Sequence, residues 1–159
     1  MNIPPSELVV VTGATGYVGG RLVPELLDAG YRVRCVARNP EPLDDRPWRS
    51  QVEVIATDLL DREQVRTALA EATRAFYLVH SMSASSDFEG LEAEMAETFA
   101  WAAATANLKQ VVYLGGLGAE SQTHSRHLTS RHRVGTILAS GKTPVTELRA
   151  AVIIGSGSA

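Results

Sequence analysis

The chain has 159 residues, of which 45% are hydrophobic and 21% charged, and its formal net charge is −3. This length suits one domain with a substantial core, and a slightly acidic chain with dispersed arginines gives no reason to expect nucleic-acid binding. Cys35 is the only cysteine, which excludes a disulfide framework and a thiolate zinc site, and no apolar run approaches the ~20 residues of a membrane span. Because the first residues also lack the pattern of a signal peptide, we expect a cytoplasmic domain without a membrane span.

The chain opens with a predicted strand, a glycine-rich turn and a predicted helix. Three consecutive valines lie in the strand Leu8–Thr12, which suits a parallel strand buried on both faces. Three glycines then recur at every third position, Gly13, Gly16 and Gly19. The helix is predicted over Tyr17–Ala29, with Gly30 after its end. Together these parts are typical of a dinucleotide phosphate site, because glycine lets the backbone approach a pyrophosphate and the helix start offers free N–H groups. A glycine-rich turn that binds no ligand is the alternative interpretation.

The rest of the chain alternates further strands and helices. Strands are predicted over Arg32–Ala37, Val52–Thr57, Ala75–Val79, Gln110–Leu114 and Val145–Ile154. Helices are predicted from an N-cap at Asp61, from a capping box at Ser86 through a stripe that ends at Ala106, and over His127–Ala139. The stripe, which includes Leu91 and Met95, is interpreted as core against the sheet. This alternation predicts a doubly wound parallel α/β sheet in three layers, with strand order 3-2-1-4-5-6.

The glycine-rich turn reads T-G-x-x-G-x-x-G over Thr12–Gly19 and resembles the cofactor loop of the extended and atypical short-chain dehydrogenase/reductase superfamily. Nearly the whole chain resembles the NmrA-like NAD(P)H-binding proteins and the nucleotide-binding accessory subunit of respiratory complex I. The resemblance implies a Rossmann fold and a dinucleotide held by the loop residues Thr12, Gly13, Thr15, Gly16, Tyr17, Val18 and Gly19. Members of the family continue past the sixth strand, so we expect residues 1–159 to be the dinucleotide-binding half of a longer protein.

The resemblance implies further cofactor contacts after the third strand and at the end of the fourth. Asp58 and Leu59 match residues that usually flank the adenine, and Val79, His80 and Ser81 match residues along the ribose and nicotinamide. From the residues alone, Asp58 is equally well interpreted as a turn or cap residue. Val79 can be simple core, and His80 can be a loop histidine.

The end of the second strand predicts which dinucleotide is bound. In this fold that position meets the adenosine ribose, where a carboxylate selects NAD and a nearby arginine accommodates the 2′-phosphate of NADP. Arg38 stands there, and no acidic residue occupies the position. A guanidinium matches a phosphate through charge-assisted hydrogen bonds, so we expect NADP(H) rather than NAD(H). Arg34 is the second candidate for the phosphate, and projection of Arg38 into solvent is the alternative.

The catalytic pattern of the superfamily is incomplete in this chain. Typical active members carry a serine just after the fifth strand and Tyr-x-x-x-Lys on the next helix. Here Gly115 and Gly116 follow the strand, and alignment of the helix places His127 at the tyrosine position and Arg131 at the lysine position. His127 can exchange a proton near neutral pH, whereas Arg131 stays protonated and can hold ribose hydroxyls or a phosphate. Tyr113 lies on the strand and is interpreted as a packing residue.

Two functional classes therefore remain open. In the first, NADPH supplies hydride and His127 a proton to a small carbonyl or quinone-like substrate. In the second, the domain binds the nucleotide without catalysis, as a redox sensor, a regulator or an assembly subunit. We expect no metal site, because no carboxylate completes a set with His124, His127 and His132, and no hydrolase elbow, because Gly-x-Ser-x-Gly does not occur. An exposed last strand would favour a homo-oligomer.

Overall fold

The structure, a computed structural model, describes residues 7–80, 87–117 and 126–156. Within these residues the strands are β1 (Leu8–Thr12), β2 (Arg32–Ala37), β3 (Glu53–Ala56), β4 (Arg74–Tyr77), β5 (Gln110–Gly116) and β6 (Val145–Ala150). They form one sheet in the order β3-β2-β1-β4-β5-β6, and every neighbouring pair is parallel. The predicted fold class and strand order are confirmed, and the carboxyl ends of all these strands meet at one edge of the sheet.

Helices cover both faces of the sheet, as the alternation predicts. They are α1 (Tyr17–Asp28), α2 (Arg62–Leu69), α3 (Phe88–Thr105) and α4 (Arg126–Ser140). On one face α2, α3 and α4 pack side by side, with α3 in the middle. The other face carries α1 together with two short 3₁₀ turns, Glu41–Leu43 and Arg49–Gln51.

β1 lies at the centre of the sheet and links the two halves of the core. All five of its residues are buried. Because side chains alternate along a strand, Leu8 and Val10 join the cluster under α2–α4, whereas Val9 and Val11 join the cluster under α1. Burial of each valine contributes about 1.5–3 kcal/mol relative to an exposed one, so the run of valines holds the strand that leads into the glycine-rich turn.

The ends of two helices follow the chemistry that the sequence indicates. Oδ1 of Asp61 accepts hydrogen bonds from the backbone N–H groups of Glu63 (3.0 Å) and Gln64 (3.1 Å), which caps α2. Gly30 has φ 88° after the end of α1, and the N–H of Tyr31 donates to the carbonyl of Leu26 at 3.0 Å. Ser86 of the predicted capping box lies outside the described residues. In the described part, α3 begins at Phe88 and Asp87 is its N-cap residue.

Several strand boundaries differ from the predicted ones. β4 ends at Tyr77 rather than at Val79, and β6 ends at Ala150 rather than at Ile154. β5 continues through Gly115 and Gly116, because these residues pair with Arg149 and Ala150 of β6. The strand was predicted to stop there, since glycine is depleted in strands and the pairing partner is distant in sequence. β6 forms an edge of the sheet, and its Leu148 is 53% exposed.

Candidate functional site

The glycine-rich turn connects β1 to α1 at the carboxyl edge of the sheet. Gly13 has φ 78°, and a Cβ there would lie 2.9 Å from the carbonyl oxygen of Leu78. A Cβ at Gly19 would lie 2.3 Å from the carbonyl oxygen of Gly13. The N–H of Gly16 donates to the Gly13 carbonyl at 3.1 Å and closes the turn. Two of the three glycines are therefore required by close backbone contacts, which is the geometry that the fold uses for a pyrophosphate.

The start of α1 has the chemistry of an anion site. The helix begins at Tyr17, and no side chain caps its N-terminus. Uncapped N–H groups and the positive end of the helix dipole favour a phosphate group at this position. The close approach of the turn at Gly19 and the uncapped helix fit the diphosphate of a dinucleotide.

Thr12 supports the turn from below rather than presenting a free hydroxyl. Its Oγ1 donates to the carbonyl of Phe76 at 3.1 Å and accepts from the N–H of Leu78 at 3.2 Å. The side chain thus bridges the ends of β1 and β4, and it is 1% exposed. Its hydroxyl is thus engaged within the sheet, and the predicted contact of Thr12 with the cofactor stays a prediction.

A cavity of about 620 Å³ opens beside the turn, along the carboxyl ends of β1, β2, β3 and β4. This volume suits a cofactor or drug-sized ligand. Eight of the residues predicted to contact the cofactor line it: Gly13, Thr15, Gly16, Arg38, Asp58, Leu59, Val79 and His80. Tyr17, Val18 and Gly19 lie in the first turn of α1 beside it. Ser81 lies outside the described residues.

The cavity also contains residues that the sequence did not predict. Leu91 and Met95 of α3 line it, although their stripe was interpreted as core; the side of the helix that carries them faces the cavity, and Leu91 is 38% exposed. Asn39, Pro42 and Leu60 also line the cavity. The one signal for Leu91 and Met95 is their place near the start of α3, next to the strand ends.

The two candidate arginines of β2 and its end have different environments. Arg38 is exposed at the cavity and makes no hydrogen bond or ion pair with the described part of the chain. Arg34 is 8% exposed; its Nη1 donates to the carbonyls of Ala68 (2.9 Å) and Ala70 (2.8 Å) at the end of α2. Its guanidinium also pairs with Glu53 at 2.8 Å. The prediction of Arg34 as the second candidate for the 2′-phosphate is therefore wrong, because its guanidinium donates to protein acceptors inside the fold.

Asp58 is both a turn residue and a cavity residue. Its Oδ1 accepts from the N–H of Leu60 at 3.0 Å, and its own N–H donates to Oε1 of Gln64 at 2.9 Å. These bonds fix the connection between β3 and α2 and confirm Asp58 as a turn residue. Its place in the cavity wall is compatible with the adenine contact, which stays a prediction. Leu59, next to it, is buried and contributes an apolar wall.

His80 and Arg131 lie near each other at the ends of β4 and β5. Burial, with a smaller contribution from the Arg131 guanidinium, lowers the pKa of His80 to about 4. The His80 ring lies 6.4 Å from the Tyr113 ring, measured between centroids. A Cβ at Gly116 would lie 2.7 Å from Cδ2 of Leu128 and 3.4 Å from Cδ of Arg131, so the lack of a side chain at this position leaves room for Leu128 beside Arg131. Neutral His80 can donate or accept a hydrogen bond at the cavity wall without carrying charge.

Tyr113 supports the helix that carries Arg131. Its hydroxyl donates to the backbone carbonyl of Arg131 at 2.8 Å, and burial raises the pKa of this hydroxyl. The neighbouring Ser130 donates to the buried carboxylate of Glu92 on α3. Tyr113 is thus fully buried in packing, as interpreted from the sequence, and it also fixes α4 at the point where Arg131 approaches Gly116.

His127 lies one helical turn before Arg131 and away from the cavity wall. It is exposed, and its ring stacks on Phe88 at 4.7 Å between centroids with an interplanar angle of 26°. The structure therefore brings Arg131, but not His127, next to His80. His124 lies outside the described residues, and among those that are described no three His, Cys, Asp or Glu side chains group as metal ligands. The catalytic role of His127 stays a prediction.

The partly buried position of His80 predicts a specific pH dependence of stability. Its pKa is about 4 in the folded chain and 6.5 in the absence of burial, so the unfolded chain binds more protons between these values. We expect the contribution to the free energy of unfolding to be fully present above pH ~6.5 and to be lost as the pH falls toward ~4. Urea unfolding at several pH values in this window should show a smaller loss for His80→Gln than for the unmodified chain. His132→Gln, an exposed histidine on α4, is the control. An equal loss for His80→Gln would contradict the expectation.

The fold and the cavity together define a dinucleotide-binding domain of the Rossmann type. A family model described as NAD(P)H-binding matches residues 13–152. The chain belongs to this NAD(P)H-binding family, and the resemblance to the short-chain dehydrogenase/reductase superfamily is confirmed. No helix in the described ranges has the length and hydropathy needed to cross a membrane.

Two relatives that match most of this chain are reductases of about twice its length. Cinnamoyl-CoA reductase 1 of Oryza sativa subsp. japonica is 30% identical over 131 residues, which cover 79% of this chain and 39% of that protein. Cinnamoyl-CoA reductase 1 of Petunia hybrida is 32% identical over 129 residues, which cover 75% of this chain and 38% of that protein. The chain therefore spans less than two fifths of the length of these relatives.

Solved structures share the fold at lower identity. Citrobacter sp. triphenylmethane reductase complexed with NADP(H) superposes with a TM-score of 0.75 at 22% identity, over 91% of this chain and 49% of that one. The NADPH-dependent quinone oxidoreductase QOR2 of Escherichia coli, complexed with NADPH, gives a TM-score of 0.72 at 22% identity, over 89% and 48%. These likenesses confirm the architecture of the sheet and its helices.

Proposed function

We propose that the chain is the cofactor-binding part of an NADPH-dependent oxidoreductase of the atypical short-chain type. The observation that carries the proposal is the cavity itself, which joins the glycine-rich turn to Arg38 along one edge of the sheet. A dinucleotide laid along this edge has its diphosphate at the start of α1 and its adenosine ribose at the end of β2. The reductase names of the relatives support the reaction class.

The preference for NADP(H) is part of this proposal. Arg38 stands at the cavity with no carboxylate partner in the described residues, so all its donors are available to a phosphate. Asp58, the carboxylate of the cavity wall, already accepts the Leu60 N–H. The bound NADP(H) in the triphenylmethane reductase structure is consistent with this choice.

The substrate we propose is a small carbonyl or quinone-like compound. When bound, NADPH supplies a hydride, and the reduced oxygen also takes up one proton. Arg131 remains a cation throughout and can hold a ribose hydroxyl or the substrate oxygen. Our proposed proton donor is His127, which an approaching substrate would have to contact at the exposed end of α4.

The experiment that tests the reaction is NADPH oxidation in the presence of a panel of aldehydes, ketones and quinones. We expect turnover with at least one compound, and we expect His127→Ala to abolish it without weakening NADPH binding. His132→Ala is the matched control, because it removes an exposed histidine of the same helix. Full turnover by His127→Ala would contradict the assigned proton donor, and absence of turnover with the whole panel would contradict the enzyme proposal.

A non-catalytic NADP(H)-binding regulator, redox sensor or assembly subunit is the second candidate. Two observations favour it: Gly116 stands where active members carry a serine, and His127 stacks on Phe88 outside the cavity lining. A sensor should bind NADPH and NADP⁺ with different affinities and turn over no substrate. Comparison of the two affinities, made alongside the turnover assay, separates the candidates.

We further propose that residues 1–159 form the cofactor half of a longer cytoplasmic protein. The coverage of the relatives supports this, since their length exceeds that of the chain. A homo-oligomer remains part of the proposal because β6 presents an edge with the exposed Leu148.

A further inference from the structure

The connection between β2 and β3 places an arginine side chain, Arg46, against the glycine-rich turn. Two apolar anchors hold this connection against the sheet: Leu43 is 0% exposed and Trp48 is 6% exposed. Arg46 lies between them. Its N–H donates to the carbonyl of Leu43 at 3.1 Å, and its carbonyl accepts from the N–H of Arg49 at 2.9 Å. The backbone of Arg46 is therefore fixed on both sides, so holding its guanidinium in place requires no further ordering of the backbone.

The Arg46 guanidinium lies against the turn and the first turns of α1. Its Nη2 donates to the carbonyl of Thr15 at 3.3 Å. A Cβ at Gly20 would lie 3.4 Å from Cζ and 3.4 Å from Nη1 of Arg46, so the group packs on the helix backbone. Among the described residues no carboxylate pairs with Arg46, whereas Arg49 of the same connection pairs with Asp44 at 3.1 Å.

The peptide between Thr15 and Gly16 is consequently held at both ends. Its carbonyl accepts from Arg46, and its N–H donates to the carbonyl of Gly13. This orientation closes the turn. The Thr15 carbonyl is bonded to Arg46, so it does not cover the N–H groups at the uncapped start of α1. A turn fixed before the ligand arrives costs less to order on binding, which increases affinity.

We propose that Arg46 is a positioning residue for the diphosphate site: it fixes the Thr15–Gly16 peptide and leaves the start of α1 open to the diphosphate of the cofactor. The inference rests on the proposed binding of a dinucleotide in this cavity. It assigns Arg46 and Arg38 different roles. Arg46 acts on the diphosphate, which NADH and NADPH share, whereas Arg38 acts on the 2′-phosphate, which only NADPH carries.

The test is a set of titrations of Arg46→Ala with four ligands: NADPH, NADH, ADP-ribose and adenosine 2′-monophosphate. We expect the affinities for the first three to fall by the same factor, about fivefold to tenfold. Adenosine 2′-monophosphate lacks the diphosphate, so its affinity should stay within about twofold of that of the unmodified chain. Arg49→Ala is the matched control, since it removes an arginine of the same connection that pairs with Asp44, and it should change none of the four affinities.

Three results would overturn the inference. One is a loss confined to NADPH and adenosine 2′-monophosphate, which would mean that Arg46 contacts the 2′-phosphate. Another is an unchanged affinity for all four ligands. The third is a lack of dinucleotide binding by the unmodified chain, which defeats the proposed function as well, whereas in the first two cases the unmodified chain binds and only the inference fails. Should Arg46→Ala not fold, Arg46→Lys keeps the charge and should show a smaller loss, again equal for the three diphosphate ligands.

Discussion

Gly19→Ala is expected to abolish dinucleotide binding and to destabilise the chain by roughly 2–4 kcal/mol. The new Cβ would lie 2.3 Å from the carbonyl oxygen of Gly13 and 2.8 Å from Cα of Ala14. Both neighbours are backbone atoms of the turn, so they cannot move aside as a flexible side chain does. Relief of the contact requires α1 to shift away from the turn that forms the diphosphate site. Urea unfolding measures the stability, and titration with NADPH measures the binding.

Gly30→Ala is the control that separates an effect on NADPH binding from an effect on stability. Gly30 follows the other end of α1 with φ 88°, and nothing lies within 4 Å of a Cβ built there. Alanine in this left-handed conformation should cost about 1 kcal/mol of stability while leaving NADPH affinity unchanged. Binding of NADPH by Gly19→Ala as tightly as by Gly30→Ala would show that the close approach of α1 to the turn is not needed for the ligand.

Arg38→Ala is expected to remove the preference for NADPH over NADH. Loss of a guanidinium bonded to a phosphate costs about 1.5–3 kcal/mol, which is about tenfold or more in affinity. NADH lacks the 2′-phosphate, so its affinity should change by less than about twofold. Competition titrations with both dinucleotides, on the unmodified chain and on the variant, measure the two ratios.

Arg32→Ala is the control for this experiment. Arg32 is an exposed arginine at the other end of the same strand, where it pairs with Glu53 at 2.7 Å. Its removal should leave both affinities unchanged. Tighter binding of NADH than of NADPH by the unmodified chain, or an equal loss of both in Arg38→Ala, would contradict the proposed role of Arg38.

The sequence allowed prediction of those parts of the fold that depend on local patterns. The valines of β1, the glycines of the turn and the N-cap at Asp61 each depend on residues close in the chain, and the structure places them as expected. The strand order follows from the alternation of strands and helices together with right-handed crossovers. These features position the carboxyl edge of the sheet, where the cavity lies.

Features that depend on distant residues were not predictable from local patterns. β5 extends through Gly116 because β6 pairs with it, and the cavity wall includes Leu91 and Met95 because of the way α3 packs. Arg46 occurs in a connection for which no strand or helix was predicted. Its contact partner, Thr15, lies 31 residues away in the sequence. A helical spacing of four places His127 and Arg131 on one side of α4, yet it does not say how far each lies from the strand ends.

The central claim is that a dinucleotide binds along the carboxyl edge of the sheet, over the glycine-rich turn. Amide hydrogen exchange of the unmodified chain, with and without saturating NADPH, tests this claim most directly. We expect slower exchange in residues 13–19, 36–39, 57–60 and 78–80, with no change in β6 or at the end of α2. Absence of any protection, or protection confined to the outer surfaces of α3 and α4, would contradict the claim.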